Sequence, residues 1–230
     1  MKHLLLTALL TLAPTVAMAD CVVFLHGYAR SPASFSVMEK VFQHKGFDTT
    51  KVGYPSKELE ISALANAAIP EAVKRCEGKA GNVHFVTHSL GGILVRDYFA
   101  RQSIDRLGRI VMLAPPNDGS AIVDKLGKTK LFKKLSGPAL LALTTGEQGK
   151  PGKLPAVKFE LGVIAGKRSV NPVGSYLLKG PDDGAVTIES TKVDGMKDHI
   201  ILSATHTFMM NNPKVISQTL HFIEQGQFKR

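Results

Sequence analysis

The amino-acid sequence predicts an α/β protein built on a mostly parallel, doubly wound sheet. Short runs of β-branched and apolar residues alternate with longer segments in which apolar residues recur at helical spacing. This alternation is typical of parallel strands joined by right-handed helical crossovers. The chain has 230 residues, 44% of them hydrophobic and 21% charged, which fits one compact domain and excludes disordered, collagen-like and coiled-coil proteins. We expect a monomer.

Six short segments are predicted to be strands because each is rich in β-branched or apolar residues. They cover residues 22–25, 49–52, 83–87, 110–113, 161–165 and 199–204. Helical spacing predicts helices over 32–46, 61–76, 91–102 and 215–223. Pro32 suits a first helical turn and Gly46 ends that element, whereas Pro70 is expected to kink the second helix or begin a new turn.

Residues 116–155 interrupt the alternation. They contain short Lys-rich helical pieces separated by glycines and prolines, which indicates an insertion over one edge of the sheet. Within it, residues 125–135 combine five lysines with three leucines and a phenylalanine. Such a segment would suit docking on an anionic membrane surface. The alternative is a solvated surface helix whose apolar side packs on the domain.

The first nineteen residues are predicted to form a signal peptide. Lys2 and His3 precede an apolar run over 4–16, and Ala-Met-Ala over 17–19 is the small–x–small pattern that signal peptidase accepts. The run of about 13 residues is too short to cross roughly 30 Å of hydrocarbon. We therefore expect cleavage after Ala19, a mature domain over 20–230, and a periplasmic or secreted protein.

The net charge of +10 at pH 7 indicates a basic surface. Net charge does not distinguish nucleic-acid binding, membrane attraction and solubility. Because no zinc-finger spacing, helix-turn-helix pattern or aromatic RNA-binding strand accompanies the charge, no nucleic-acid partner is expected.

The two cysteines, Cys21 and Cys76, form an even pair that an oxidising compartment would join in a disulfide. Cys21 opens the first strong strand and Cys76 ends the helix before the third strand, so both are expected at the same end of the sheet. The alternative is a pair of inert buried thiols.

The strongest functional signal surrounds Ser89. Residues 85–92, Phe-Val-Thr-His-Ser-Leu-Gly-Gly, run from a predicted strand through a serine into a helix that begins with glycine. This resembles the nucleophile elbow G-x-S-x-G, in which small neighbours allow a cramped turn and the helix N-terminus faces developing negative charge. Ser89 is therefore the candidate nucleophile, although Thr87 replaces the first glycine and crowds the turn. The alternative is a serine that merely caps a helix.

Together with three other short segments, this pattern resembles the α/β-hydrolase superfamily, specifically small bacterial lipases and esterases and the PGAP-like serine esterases. The other segments are His-Gly-Tyr over 26–28, Gly-Pro-Asp-Asp-Gly-Ala-Val over 180–186 and Ala-Thr-His-Thr-Phe-Met-Met over 204–210. The resemblance covers nearly all of the mature chain. It implies the α/β-hydrolase fold with residues 116–155 as a short cap insertion.

The resemblance also implies a catalytic triad in the chain order Ser89, Asp183, His206. Asp183 matches the D-G-x-V segment that carries the family's acid, while the neighbouring Asp182 is the alternative acid or a turn residue that steadies the loop. His206 follows the last strand. The competing His199 opens that strand and so lies at the wrong end for a site formed at the carboxyl ends of strands.

The backbone N–H groups of Tyr28 and Leu90 are the expected oxyanion hole, by the same resemblance. His26 is expected to be a structural, hydrogen-bonding histidine of its turn rather than a base.

The implied reaction is hydrolysis of a carboxylic ester, including a lipid ester, through an acyl-enzyme. Thioester hydrolysis or acyl transfer with the same triad is the alternative. A third hypothesis is that the domain is a non-catalytic binding module. No cofactor is expected because no dinucleotide or phosphate-binding glycine motif is present. No metal site is expected, because His84 and His88 lack the helix and the glutamate of a zinc protease.

Overall fold

A computed structural model of the protein describes residues 19–78 and 81–230. The predicted signal peptide therefore lies outside the described residues, apart from Ala19.

Six parallel strands form one sheet in the order β2-β1-β3-β4-β5-β6. Their bounds are β1 Cys21–Leu25, β2 Asp48–Val52, β3 Val83–His88, β4 Leu107–Leu113, β5 Leu161–Gly166 and β6 Asp198–Leu202. The predicted parallel sheet is confirmed. The sixth strand is shorter than predicted, because Ala204 donates its backbone N–H to Leu202 O at 2.8 Å and this tight turn ends the strand.

Eight α-helices, together with several short 3₁₀ turns, lie among these strands in the described residues. They are α1 Ser36–His44, α2 Ile61–Arg75, α3 Leu90–Phe99, α4 Ala121–Leu126, α5 Lys130–Leu135, α6 Pro138–Leu141, α7 Pro172–Leu177 and α8 Pro213–Gln225. Pro70 stays inside α2. The carbonyl that it leaves without an N–H partner belongs to the exposed residue Asn66, where water can bind it. No helix of the described segments has the length and apolarity to cross a bilayer.

Helices cover both faces of the sheet, as a doubly wound fold requires. Side chains alternate along β1, so that Val23 and Leu25 pack with α2 and α3 on one face. Val22 and Phe24 pack with α1 and α8 on the other face, where Phe24 meets Phe42 edge-on with ring centroids 5.6 Å apart. Both faces of the central strands are therefore buried, which explains their continuous apolar sequences.

The inserted segment over 116–155 contains α4, α5 and α6 and is joined to α3 by buried polar contacts. The Arg96 guanidinium donates to the carbonyls of Asn117, Pro151 and Leu154 at 2.8–3.3 Å. Burial lowers the pKa of Arg96 to about 10. The next residue, Asp97, pairs with Lys150 of the insertion at 2.5 Å. Two successive charged residues of α3 thus hold the insertion beside the carboxyl ends of the strands.

Cys21 and Cys76 form a disulfide, as predicted, with their Cα atoms 5.9 Å apart. Cys21 is the first residue of β1 and Cys76 follows the last residue of α2. The bond therefore lies at the amino-terminal end of the sheet, opposite the end where Ser89 follows β3.

Removing this disulfide with the Cys21→Ala/Cys76→Ala pair is expected to lower the free energy of unfolding. The bond closes a sequence separation of 55 residues, for which the chain-entropy estimate is about 4 kcal/mol. Urea unfolding followed by circular dichroism measures the difference. Addition of reductant should lower the stability of the wild type but leave the double variant unchanged. Two titratable thiols in unfolded, unreduced wild-type protein would contradict the bond.

Candidate active site

Ser89 occupies a sharp turn between β3 and α3. Its backbone has φ 51° and ψ −120°, a left-handed φ that residues other than glycine rarely adopt. The Ser89 N–H donates to Leu113 O of β4 at 2.9 Å, which fixes this turn to the neighbouring strand. The serine therefore stands at the carboxyl end of the central strands, directly before the N-terminus of α3.

Gly91 and Gly27 allow the turn to form at this place. A Cβ atom on Gly91 would lie 2.6 Å from the backbone oxygen of Leu25, at the end of β1. A Cβ atom on Gly27 would lie 2.8 Å from His88 Nδ1 and 3.2 Å from Ser89 Cβ. Thr87, which replaces the first glycine of the G-x-S-x-G pattern, is fully buried, and its hydroxyl has no hydrogen-bond partner among the described residues. The elbow thus accepts a threonine there but not a side chain at Gly91.

Asp183 and His206 are in direct contact, 23 positions apart in sequence. The His206 Nδ1–H donates to Asp183 Oδ2 at 2.8 Å, and the carboxylate is almost completely buried. Its other oxygen accepts from the backbone N–H groups of Ala185 at 3.0 Å and Val186 at 2.8 Å. In addition, His206 N–H donates to the backbone oxygen of Asp183 at 2.9 Å. The imidazole is consequently fixed in orientation, with Nε2 left to face a reacting group.

Asp182 and His199, the sequence alternatives, lie elsewhere. Asp182 Oδ1 accepts from Ser175 Oγ of α7 at 2.6 Å and from Gly184 N–H at 2.7 Å, so this carboxylate ties its loop to α7. His199 is the second residue of β6, and its Nε2 pairs with Thr191 Oγ1 at 2.9 Å. Neither side chain contacts His206.

Ser89 and His206 line one cavity of about 280 Å³. No hydrogen bond within 19–78 and 81–230 engages the Ser89 hydroxyl. Contacts between a nucleophile and its base are commonly long in unliganded enzymes and shorten when substrate binds. The shared cavity is the place where a reacting group would meet both side chains.

Tyr28 and Leu90 have backbone N–H groups without acceptors in the described structure. Leu90 is the first residue of α3 and has no carbonyl within the helix to bind. Tyr28 follows Gly27 in the turn after β1, and its hydroxyl accepts from Gly137 N–H of the insertion at 3.0 Å. Two unused donors therefore flank Ser89, as an oxyanion hole would require.

His26 is a structural residue of the turn after β1. Its ring stacks on Tyr54 with centroids 4.0 Å apart, and Nδ1–H donates to Gly27 O at 2.8 Å. The Tyr54 hydroxyl donates to the backbone oxygen of His26. Burial lowers the pKa of His26, so the ring is neutral at pH 7.

His88 supports His206, a role that the sequence analysis did not identify. Its Nε2–H donates to the backbone oxygen of His206 at 3.0 Å, and the two ring centroids are 4.6 Å apart. Burial, followed by the nearby His206 and Arg30 charges, holds the pKa of His88 well below its usual range. A neutral histidine therefore packs against the candidate base. Its position next to Ser89 in sequence was the available signal.

His84, the other histidine of β3, lies at the opposite end of the sheet. It contacts Asp20 Oδ2 at 3.2 Å and accepts from Arg109 N–H at 2.8 Å. No three His, Cys, Asp or Glu side chains in the described part of the chain are grouped so that they could hold a metal ion.

The wall of the cavity is mainly apolar and comes largely from the inserted segment. Its apolar members there are Ile122 and Val123 of α4, Phe132 of α5, Leu140 of α6 and Leu143. Arg30 also lines the cavity and is exposed. The lining residues described include no carboxylate.

Comparison with solved structures identifies the fold. The mature lipase BlEst2 from Bacillus licheniformis superposes with a TM-score of 0.69 at 20% identity, covering 92% of this chain and 91% of that one. The chain has the α/β-hydrolase fold.

Other proteins with similar structures include a metagenomic carboxyl esterase, with a TM-score of 0.62 at 17% identity over 86% of this chain and 68% of that one. The phospholipase PlaB from Legionella pneumophila has a TM-score of 0.59 at 21% identity. That match covers 76% of this chain but only 46% of the phospholipase. Sequence comparisons with protein-family models and with curated proteins find no match.

Replacement of Gly91 by alanine is expected to destabilise this hydrolase fold by about 1–3 kcal/mol, since the added methyl would press on a backbone oxygen. The intrinsic helix preference favours alanine by about 1 kcal/mol, so a loss would have to come from the contact. Thermal unfolding of Gly91→Ala measures it. Gly46→Ala is a comparison for backbone strain alone, because that position has φ 87° with open space around it, so any stability it loses comes from the left-handed backbone and not from a steric contact. Equal stability of wild type and Gly91→Ala would contradict the close approach.

Proposed function

We propose that the protein is a serine hydrolase of the lipase or esterase type, which cleaves carboxylic esters. One observation carries the proposal: the buried Asp183–His206 pair and Ser89 of the strained elbow meet at one cavity with an apolar wall. The fold similarity to a lipase and a carboxyl esterase supports the reaction class.

In the proposed mechanism, His206 Nε2 takes the hydroxyl proton of Ser89 as Oγ attacks the ester carbonyl. Asp183 accepts the Nδ1–H bond, which fixes the imidazole tautomer and stabilises the imidazolium. The negative charge that develops on the carbonyl oxygen meets the N–H groups of Tyr28 and Leu90. His206 then donates this proton to the leaving alkoxide. As a base again, His206 activates a water molecule that hydrolyses the acyl-enzyme.

The apolar wall indicates where the acyl chain binds. Ile122, Phe132 and Leu140 belong to the insertion, whereas Ser89 and His206 follow strands of the sheet. An ester between them would direct its hydrocarbon part toward the insertion and its carbonyl toward the elbow. The length of acyl chain accepted therefore depends on the insertion rather than on the triad.

The proposal includes export of the mature chain to the periplasm or the medium after cleavage of residues 1–19. The Cys21–Cys76 disulfide supports this location, because such bonds persist in oxidising compartments and are rare in the cytosol.

Hydrolysis of a series of p-nitrophenyl esters of increasing acyl length tests the activity. Ser89→Ala is expected to keep the wild-type unfolding temperature but to lose more than about 99% of turnover, because Oγ supplies the nucleophile and little packing. A fluorophosphonate probe should label wild type and not the variant. Turnover by Ser89→Ala above about a hundredth of the wild-type rate would assign the nucleophile elsewhere.

The two adjacent aspartates give a contrast with a built-in control. Asp183→Asn is expected to lower kcat about a thousandfold or more, because an amide cannot hold the required tautomer of His206. Asp182→Asn should change kcat less than about tenfold, since that side chain bonds to Ser175 of α7 and to Gly184 N–H rather than to His206. Steady-state kinetics on one soluble ester compares them. The opposite ranking would contradict the assignment of Asp183.

A further inference from the structure

We propose that α5 and its surroundings form a docking surface for an anionic lipid bilayer, beside the cavity that contains Ser89. The docking surface consists of two exposed leucines and three exposed lysines: Leu131, Leu135, Lys130, Lys133 and Lys134. The inference rests on the proposed function to the extent that docked lipid esters would be the substrate.

The apolar part of this surface has no covering in the described structure. Leu131 is 69% exposed and Leu135 is 68% exposed. Since they are four residues apart on one helix, they lie on the same face. No residue of α5 is buried, in contrast to every longer helix of the fold. Exposure of two neighbouring leucines is unfavourable in water and becomes favourable against a hydrocarbon boundary.

The positive charge of the docking surface favours an anionic partner. Lys130, Lys133 and Lys134 are exposed, α5 contains no acidic residue, and none of the three lysines takes part in an ion pair within the described residues. Lys128, two residues before Lys130 in sequence, is also exposed. Uncompensated lysines around exposed leucines complement an anionic headgroup layer above an acyl region.

The location ties this surface to the candidate active site. Phe132, between the two leucines in sequence, turns the other way and lines the cavity with Ser89 and His206. Exposed Arg30 adds positive charge to the same cavity. A bilayer that contacts Leu131 and Leu135 would therefore lie one helix away from the elbow.

A second group of exposed apolar residues flanks α4, the other helix of the insertion that lines the cavity. Val173 and Tyr176 of α7 are 70% and 87% exposed. Lys125 Nζ of α4 donates to Leu177 O of α7 at 2.6 Å and holds the two helices together. Nine large apolar side chains are exposed in the described chain, and five of them are Leu131, Leu135, Val170, Val173 and Tyr176. More than half of these exposed apolar side chains thus belong to α5 and to the segment that contains α7, which contacts α4.

Vesicle cosedimentation tests the proposal directly. The full mature protein is mixed with phosphatidylcholine vesicles and with vesicles that contain about one-third phosphatidylglycerol. We expect strong binding only to the anionic vesicles, weakened by about 0.5 M NaCl because salt screens exposed charges. Lys130→Gln/Lys133→Gln/Lys134→Gln should bind about 100-fold more weakly, since each basic residue near an anionic surface contributes about fivefold.

Two further variants separate charge from apolar contact. Lys45→Gln/Lys74→Gln/Lys229→Gln removes the same charge from exposed lysines near the amino-terminal end of the sheet, and this control should bind like wild type. Leu131→Ser/Leu135→Ser should also weaken binding, including the part that survives high salt. Because these side chains are exposed, each variant should keep the wild-type unfolding temperature.

Hydrolysis of a short soluble ester by each protein serves as the reference for activity. If wild type does not hydrolyse the soluble ester, the proposed function is wrong. Vesicle binding is measured independently of ester hydrolysis, so the docking surface is tested separately. Equal binding of anionic vesicles by wild type and the α5 lysine variant would overturn the docking surface. Absence of vesicle binding by wild type would also overturn it. Self-association that the leucine variant abolishes would overturn it as well, because it would assign the surface to a second copy of the chain.

Discussion

The arrangement of this protein depends on one close approach between backbones. The first turn of α3 lies so near the end of β1 that a Cβ atom on Gly91 would stand 2.6 Å from Leu25 O. This approach accompanies a turn in which Tyr28 lines the same cavity as Ser89. Because β1 and β3 are hydrogen-bonded neighbours, the parallel sheet holds both turns at a fixed separation. The left-handed backbone of Ser89 is maintained by these surroundings.

Hydrogen bonds fix the rest of the site at two levels. The Asp183 carboxylate receives two backbone N–H groups in addition to the His206 ring, so it cannot rotate freely toward solvent. His88 donates a hydrogen bond to the backbone oxygen of His206, and burial lowers the pKa of His88, so its ring is neutral at pH 7. Ordering these groups before a substrate arrives reduces the reorganisation that a reaction would require.

The sheet and the insertion are stabilised in different ways. The sheet is packed on both faces and carries the disulfide at the end remote from Ser89. The insertion consists of short helices that cannot be stable alone, and it is attached through Arg96, which binds three carbonyls, and through the Asp97–Lys150 pair. The sheet therefore holds the polar groups of the site, while the insertion, which is anchored at a few points, supplies the apolar wall of the cavity. Changes in the insertion can alter that wall without moving Ser89 or His206.

The sequence by itself determined the features that depend on local pattern. Apolar runs located the six strands, helical spacing located the helices between them, and the short segment around Ser89 placed a serine between a strand and a helix. Only the tertiary structure decided which of two adjacent carboxylates contacts His206. Asp182 and Asp183 are the same residue type in the same stretch of sequence, but their side chains point in different directions within one turn. The tertiary structure also decided the position of His88 and which side chains of α5 face the cavity. Those outcomes depend on contacts between residues far apart in the chain, which no local pattern contains.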